Sequence, residues 1–208
     1  MPTDKLKCVG ATLDSHLTWK FHIDDMAKRC YYRIRCLYAV KSYFSQNSLR
    51  IIGLSIVVSL LNYMSCVWGV TSKQNLCIAE KVIRSLARLV LNKRKYDPVA
   101  SDIKLDLKWL FPQEMSEFRS LCNMFKIVKF NNVPYFSNYF YKVNNVHEHN
   151  TRTCNINYRS IKPRTEYAKN SFNFKAISLW NALPQELQNI SQYPLFQSKL
   201  KEYLLKRK

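Results

Sequence analysis

Acidic residues and glycine are scarce in this 208-residue chain. Its 14 Asp plus Glu stand against 33 Lys plus Arg, a formal net charge of +19 at pH 7. Such an excess destabilises a compact chain by self-repulsion, so a polyanionic partner is the economical explanation and a merely soluble basic surface the alternative. Only 3 Gly and 7 Pro argue against a turn-rich all-β fold, and 47% hydrophobic with 13% aromatic residues argues against disorder. The seven cysteines (Cys8, Cys30, Cys36, Cys66, Cys77, Cys122, Cys154) include no CxxC pair and form an odd set. With no signal peptide in view, they read as reduced, mostly buried thiols in the cytosol or nucleus. P-loop, GxSxG and HExxH signatures are absent, and no Cys/His arrangement suggests a nucleophile. Polymerase chemistry needs two metals held by carboxylates that converge from separate strands. The adjacent pair Asp24-Asp25 instead opens a predicted helix, where negative charge favours the N-terminus. His147, His149 and Cys154 lack a second ligand pair and read as loop residues rather than metal ligands. No metal and no cofactor is expected.

What is present is helical periodicity. Leu6 to Leu13 is strand-like, and Asp14-Ser15 turns the chain. Between Trp19 and Phe44, the spacing of Ile23, Met26, Ala27, Cys30, Ile34 and Leu37 predicts an amphipathic helix. Lys28, Arg29, Arg33, Arg35 and Lys41 fall on its other faces, as a solvated surface or as phosphate contacts. Ile51 to Ser72 carries no charge over 22 residues, long enough to span a bilayer. Its Ser55, Ser59, Asn62 and Ser65 make a mildly polar stripe, so a helix buried in a soluble protein fits at least as well. Gln74 to Asn92 predicts another helix, with Leu76, Ala79, Val82, Ile83, Leu86 and Val90 inward and Lys81, Arg84, Ser85 and Arg88 outward. Tyr96-Asp97-Pro98 reads as a break, and helical character resumes across Leu107 to Phe130. Residues 131–164 are loop-rich. Two helices close the chain. Ser171 is the N-cap of the first, with Phe172, Ala176, Leu179, Trp180 and Leu183 on one face; Pro184 stops it. Phe196, Leu200 and Tyr203 share a face of the second, which starts after Ser191. The fold class expected is mainly α, with a short N-terminal β element at 1–18, a helical domain at 19–95 and a helical, loop-rich region at 96–208.

Three passages carry a resemblance. The C-terminal run LWNALP, a serine, then FQSKLKEYLL resembles the end of non-LTR (LINE-type, jockey-like) retrotransposon reverse transcriptases. Thr151-Arg152, Lys162-Pro163-Arg164-Thr165 and Ser171-Phe172 precede it as in that family, with Ala168 where glycine is usual. GATLDSHLTWKFHI resembles the family's palm-to-thumb passage through Gly10, Leu13, Asp14, Leu17, Trp19, His22 and Ile23, with Cys8-Val9 where the family has tyrosine-leucine. EKVIRSLARLVL is similar to the family's thumb helix, with Arg88 at its arginine. The resemblance implies the thumb and C-terminal part of an RNA-directed DNA polymerase, past its active-site aspartates and so without catalysis of its own.

On that reading, Arg84, Arg88, Lys93, Arg94 and Lys95 grip a template–primer duplex by its phosphates. Arg152, Arg159, Lys162, Arg164 and Lys169 hold element RNA or target DNA, with Tyr139, Phe140, Tyr141, Tyr158 and Tyr167 interleaved for stacking on unpaired bases. The partner is nucleic acid, RNA, hybrid or DNA, and the setting nuclear or cytoplasmic. The alternatives are a stand-alone helical nucleic-acid or chromatin-binding protein and, through 51–72, a single-pass membrane protein.

Overall fold

The computed structural model of the chain describes residues 5–130, 140, 158, 159 and 163–207. It is mainly α-helical with one two-stranded sheet among the described residues. The chain divides into two compact units, Met1–Ser116 and Glu117–Lys208.

The first unit opens with a hairpin. Strands β1 (Lys5–Cys8) and β2 (Ala11–Asp14) run antiparallel, with Lys5 opposite Asp14 and Cys8 opposite Ala11. Val9 (φ 48°) and Gly10 (φ 80°) make the connection, both left-handed as a two-residue hairpin turn of the primed type requires. A β-branched residue pays strain there, and the Tyr63 hydroxyl holds the turn by donating to the Val9 carbonyl at 2.6 Å. β1 is exposed along its length, whereas β2 turns Ala11 and Asp14 inward.

Asp14 then ties the hairpin to the first helix. One carboxylate oxygen accepts from the backbone N–H of His16 (3.2 Å) and Thr18 (2.9 Å); the other accepts from the Thr18 hydroxyl (3.1 Å) and the Trp19 N–H (3.0 Å). The turn is tight enough to place Leu17 and Trp19 in the left-handed region, a cost these hydrogen bonds offset. Helix α1 (Lys20–Val40) follows, and a short 3₁₀ turn (Lys41–Tyr43) ends it. Its buried face is the one the spacing predicts, from Ile23 to Leu37, with His22 added. It packs against α5 (Lys73–Val90), whose buried face holds Ala79, Val82, Ile83, Leu86 and Val90. Ser72 caps α5 by accepting from the Asn75 N–H, and Asn75 and Thr71 donate to the Thr18 carbonyl at 3.0 and 2.8 Å. The starts of both helices are thereby pinned to one turn.

The uncharged stretch between them is not one helix. Ser45 caps α2 (Gln46–Gly53), which passes through a π turn (Leu54–Val58) into α3 (Ser59–Asn62); the chain breaks at extended Tyr63 and left-handed Met64 before α4 (Ser65–Trp68). A π turn displaces carbonyls from the α-helical ladder, and α1 supplies donors for them. The Arg33 guanidinium donates to the Ile56 carbonyl and the Cys30 thiol lies 4.0 Å from that of Val57. The Trp68 indole N–H caps the break by donating to the Tyr63 carbonyl at 2.9 Å. Among the described residues, no helix is long and apolar enough to cross a membrane.

After α5, Asn92 (φ 53°) turns the chain into α6 (Ala100–Leu105), and α7 (Pro112–Phe130) begins with proline in the first turn. Glu114 accepts from the Phe111 N–H at 2.9 Å and pairs with Lys104 at 2.7 Å. The Tyr96-Asp97-Pro98 turn lies within the first unit, folded back by Arg88 and Lys93.

In the second unit, the remainder of α7 packs with α9 (Phe172–Asn181) and α11 (Tyr193–Lys206); the short helices α8 (Glu166–Lys169) and α10 (Gln185–Gln188) join them. Phe125 stacks on Phe196 with centroids 4.4 Å apart, and Trp180 lies 5.9 Å from Phe196. Ser171 occupies the N-cap position, yet its hydroxyl donates to the Ala168 carbonyl instead of capping α9. Buried Gln188 closes the other end, its amide donating to the Trp180 and Leu183 carbonyls at 2.8 and 3.0 Å.

Two substitutions test this packing. At Gly69 an added methyl carbon would lie 2.4 Å from both the Ser65 carbonyl oxygen and the Ser116 Cβ. Gly69→Ala is therefore expected to destabilise the first unit by about 1–3 kcal/mol in a denaturant titration, and no change would refute the close approach. Gln188→Ala leaves two buried carbonyls short of a donor, an expected loss of about 1–3 kcal/mol in the second unit; a wild-type unfolding midpoint would contradict the capping role.

Candidate nucleic-acid interface

The outer face of α5 carries Lys73, Cys77, Lys81, Arg84 and Arg88, separated by four, four, three and four residues and so aligned in one stripe. At 1.5 Å per residue, the stripe from Lys73 to Arg84 is about 16 Å long, enough to follow several phosphates of one strand. Its members differ in what holds them. Lys73 and Lys81 are exposed and make no ion pair or hydrogen bond among the described residues. Arg84 is exposed but pairs with Glu80 at 3.1 Å, its guanidinium 5.8 Å from the Phe111 ring centroid. The Arg88 Nε donates to the Asp97 carbonyl at 3.1 Å, which makes Arg88 a fastener of the turn after α5.

The Lys93 to Lys95 run divides in the same way. The Lys93 ammonium pairs with Asp102 and reaches the Pro98 carbonyl at 3.4 Å. That hydrogen bond holds the Asp102 carboxyl below the usual aspartate range. Arg94 and Lys95 are exposed. The Arg94 backbone N–H donates to Asp97 at 2.8 Å, and its guanidinium has no partner among the described residues; the Lys95 amine lies 5.3 Å from the Tyr96 ring centroid. Of the five cations expected on this element, Arg94 and Lys95 are open, Arg84 is half-committed, and Arg88 and Lys93 are spent on the fold. Lys73 and Lys81 belong with the open set. Helical spacing alone could have placed Lys73 there, because it precedes Lys81 by two turns.

In the second unit, Arg159 and Arg164 are exposed, and Lys169 is exposed but paired with Glu166. Arg152 and Lys162 lie outside the described residues, as do Tyr139, Tyr141 and the Tyr167 side chain. Phe140 and Tyr158 are not available for stacking on bases. They are buried, edge to face with centroids 6.4 Å apart, and the Asn181 side chain exchanges hydrogen bonds with the Tyr158 backbone at 2.9 and 3.0 Å. The described residues contain no group of His, Cys, Asp and Glu able to hold a metal ion.

Most of the described residues that carry the resemblance are structural, while Leu17 and Arg164 are exposed. Gly10 makes the hairpin turn, Asp14 binds the turn into α1, and Trp19 and Ile23 are core. The buried His22 Nδ1 accepts from the Thr12 N–H at a long 3.5 Å, so the ring proton sits on Nε2, which meets no acceptor among the described residues. Trp180, Leu183, Phe196, Leu200 and Leu204 are the core of the second unit. No family model, curated protein or solved structure matches the chain.

Two titrating groups at the start of the first unit, Asp14 and His22, contribute to the acid response. Burial lowers the His22 pKa below its usual 6.5, reinforced by Arg29 and only partly opposed by Asp25. Burial alone would raise the Asp14 carboxyl, but the hydrogen bonds from Thr18, Trp19 and His16 outweigh it and leave the pKa below the ordinary aspartate value. Both folded-state values are depressed, so the unfolded chain takes up protons first in each case. Stability held near neutral pH is expected to fall as pH drops below about 6.5 through His22, and again below about 4 as Asp14 protonates. Thermal melts between pH 7.5 and 5 should show the first loss, and His22→Gln should flatten it; an unchanged slope in that variant would contradict the assignment.

Proposed function

We propose that the chain binds nucleic acid through its phosphates. In the same proposal it is the thumb and C-terminal part of a non-LTR retrotransposon RNA-directed DNA polymerase, gripping template–primer duplex and taking no part itself in bond making. The observation that carries the binding reading is the outer stripe of α5. Among the described residues Lys73 and Lys81 stand unpaired on it beside Arg84, which Glu80 holds in part, and the turn beyond the helix offers Arg94 and Lys95. Cations left without internal carboxylates repel one another unless a polyanion lies across them, and phosphates spaced along a strand suit a linear array. The polymerase parentage rests on the three sequence passages, which include the α5 run EKVIRSLARLVL.

This grip reads no sequence, because phosphate contacts position a duplex without reporting its bases. Binding of an RNA–DNA hybrid, followed by fluorescence anisotropy, should weaken steeply with salt. A plot of log affinity against log salt is expected to have a slope of roughly −3 to −5 for four or five phosphate contacts. Lys73→Glu with Lys81→Glu should lower affinity at least about tenfold and make the slope shallower by about 2. Arg88→Ala should chiefly lower the melting temperature. A slope near zero, or full affinity in the double variant, would falsify the grip.

A further inference from the structure

Where the ends of α1 and α5 approach the start of α2, the first unit has an open cleft of about 370 Å³. Its floor is apolar, made by Leu49, Leu89 and Val90, all buried. Phe44 lines it and remains 43% exposed, while Tyr43 beside it is 84% exposed. Lys41, Gln46 and Asn92 add polar groups: the Lys41 ammonium donates to the Asn92 side-chain oxygen at 3.2 Å, and among the described residues the Asn92 NH₂ and the Gln46 amide have no partner.

We infer that this cleft is a subsite for one unpaired nucleotide, whose base lies on the apolar floor against the Phe44 ring and whose edge meets the Gln46 and Asn92 amides. The inference rests on the nucleic-acid reading above and adds to it a preference for single-stranded segments. The cleft falls within the size range of small-ligand sites and has their usual form, an apolar base with a few convergent polar groups. An aromatic ring is a stacking platform for any base, and side-chain amides pair with base edges. The electrostatics favour the same occupant. No carboxylate lines the cleft among the described residues, and residues 26–79 contain no Asp or Glu at all. Arg94 and Lys95, two and three residues beyond Asn92, are placed in the chain to meet the flanking phosphates. A wholly apolar occupant would cover the Gln46 amide and the Asn92 NH₂ without giving them partners, at a desolvation cost. An intact duplex keeps its bases stacked inside and has none to offer.

The test compares a labelled oligouridine strand with a blunt duplex of equal length, both titrated against the full chain. Phe44→Leu keeps the apolar bulk and removes the ring; it should weaken single-strand binding roughly tenfold and change duplex binding by less than about twofold. Gln46→Ala, on the surface and away from the core, should weaken single-strand binding in the same direction. Equal losses on both probes, or no loss on either, overturn the subsite while the phosphate grip stands. A wild-type chain that binds duplex but not the single strand overturns it as well. Binding of neither probe overturns both readings.

Discussion

The Asp14 carboxylate is the constraint on which the first unit depends. A charged group buried at a turn is costly unless its oxygens are filled, and here both are, by three backbone N–H groups and one hydroxyl within five residues. Filling them forces Leu17 and Trp19 into left-handed backbone and delivers Trp19 and Ile23 to the core. It also leaves the Thr18 carbonyl facing α5, which anchors there through Thr71 and Asn75. The hairpin, α1 and α5 are thus indexed from a single side chain, and the outward stripe of α5 inherits its direction from that indexing.

The same scarcity of acid shapes the surface. Several of the few carboxylates are occupied within the fold: Asp97 and Asp102 hold the turn after α5, Glu114 starts α7 with Lys104, and buried Glu117 pairs with Arg207. Others sit in single-helix pairs such as Asp25 with Arg29 and Glu202 with Lys206. Exposed pairs of that kind add little stability, so their worth lies in local charge balance. Cations beyond reach of these acids, Lys73, Lys81, Arg94 and Lys95 among them, carry the chain's excess charge into solvent. Exposure on the face of α5 and in the turn beyond it arrays that charge along one line, as the proposed binding of a polyanion requires.

Much of the fold was legible because burial and helical period coincide in α1, α5, α9 and α11, whereas α7 is buried on most sides. Ile23 through Leu37 and Phe196 through Leu200 can be read straight from their spacing. The stretch from Ile51 to Ser72 was not legible as a broken path. An uncharged run has no polar face to mark where Tyr63 leaves the helix, and the donors that compensate the π turn, Cys30 and Arg33, lie more than twenty residues away. The short helices α6, α8 and α10 gave too few turns for a period to register. For the interface, the outward direction of Arg84 and Arg88 was readable, but the partner that occupies Arg88 was not, since it is a backbone carbonyl brought back by a turn. Phe140 and Tyr158 mislead for a related reason: aromatic residues among cations look like a stacking surface until a neighbour such as Asn181 ties one into the core. The cleft at Phe44 has no sequence signature, because its walls come from segments some forty residues apart.

Lysine reactivity with and without nucleic acid separates these two populations of cation directly. Mild acetylation of the full chain, read residue by residue by mass spectrometry, should show Lys73, Lys81 and Lys95 reacting freely alone and becoming protected when an RNA–DNA hybrid is added. Lys93, already held by Asp102, should change little. Protection spread evenly over all lysines, or absent from α5 and the turn beyond it, would contradict the account.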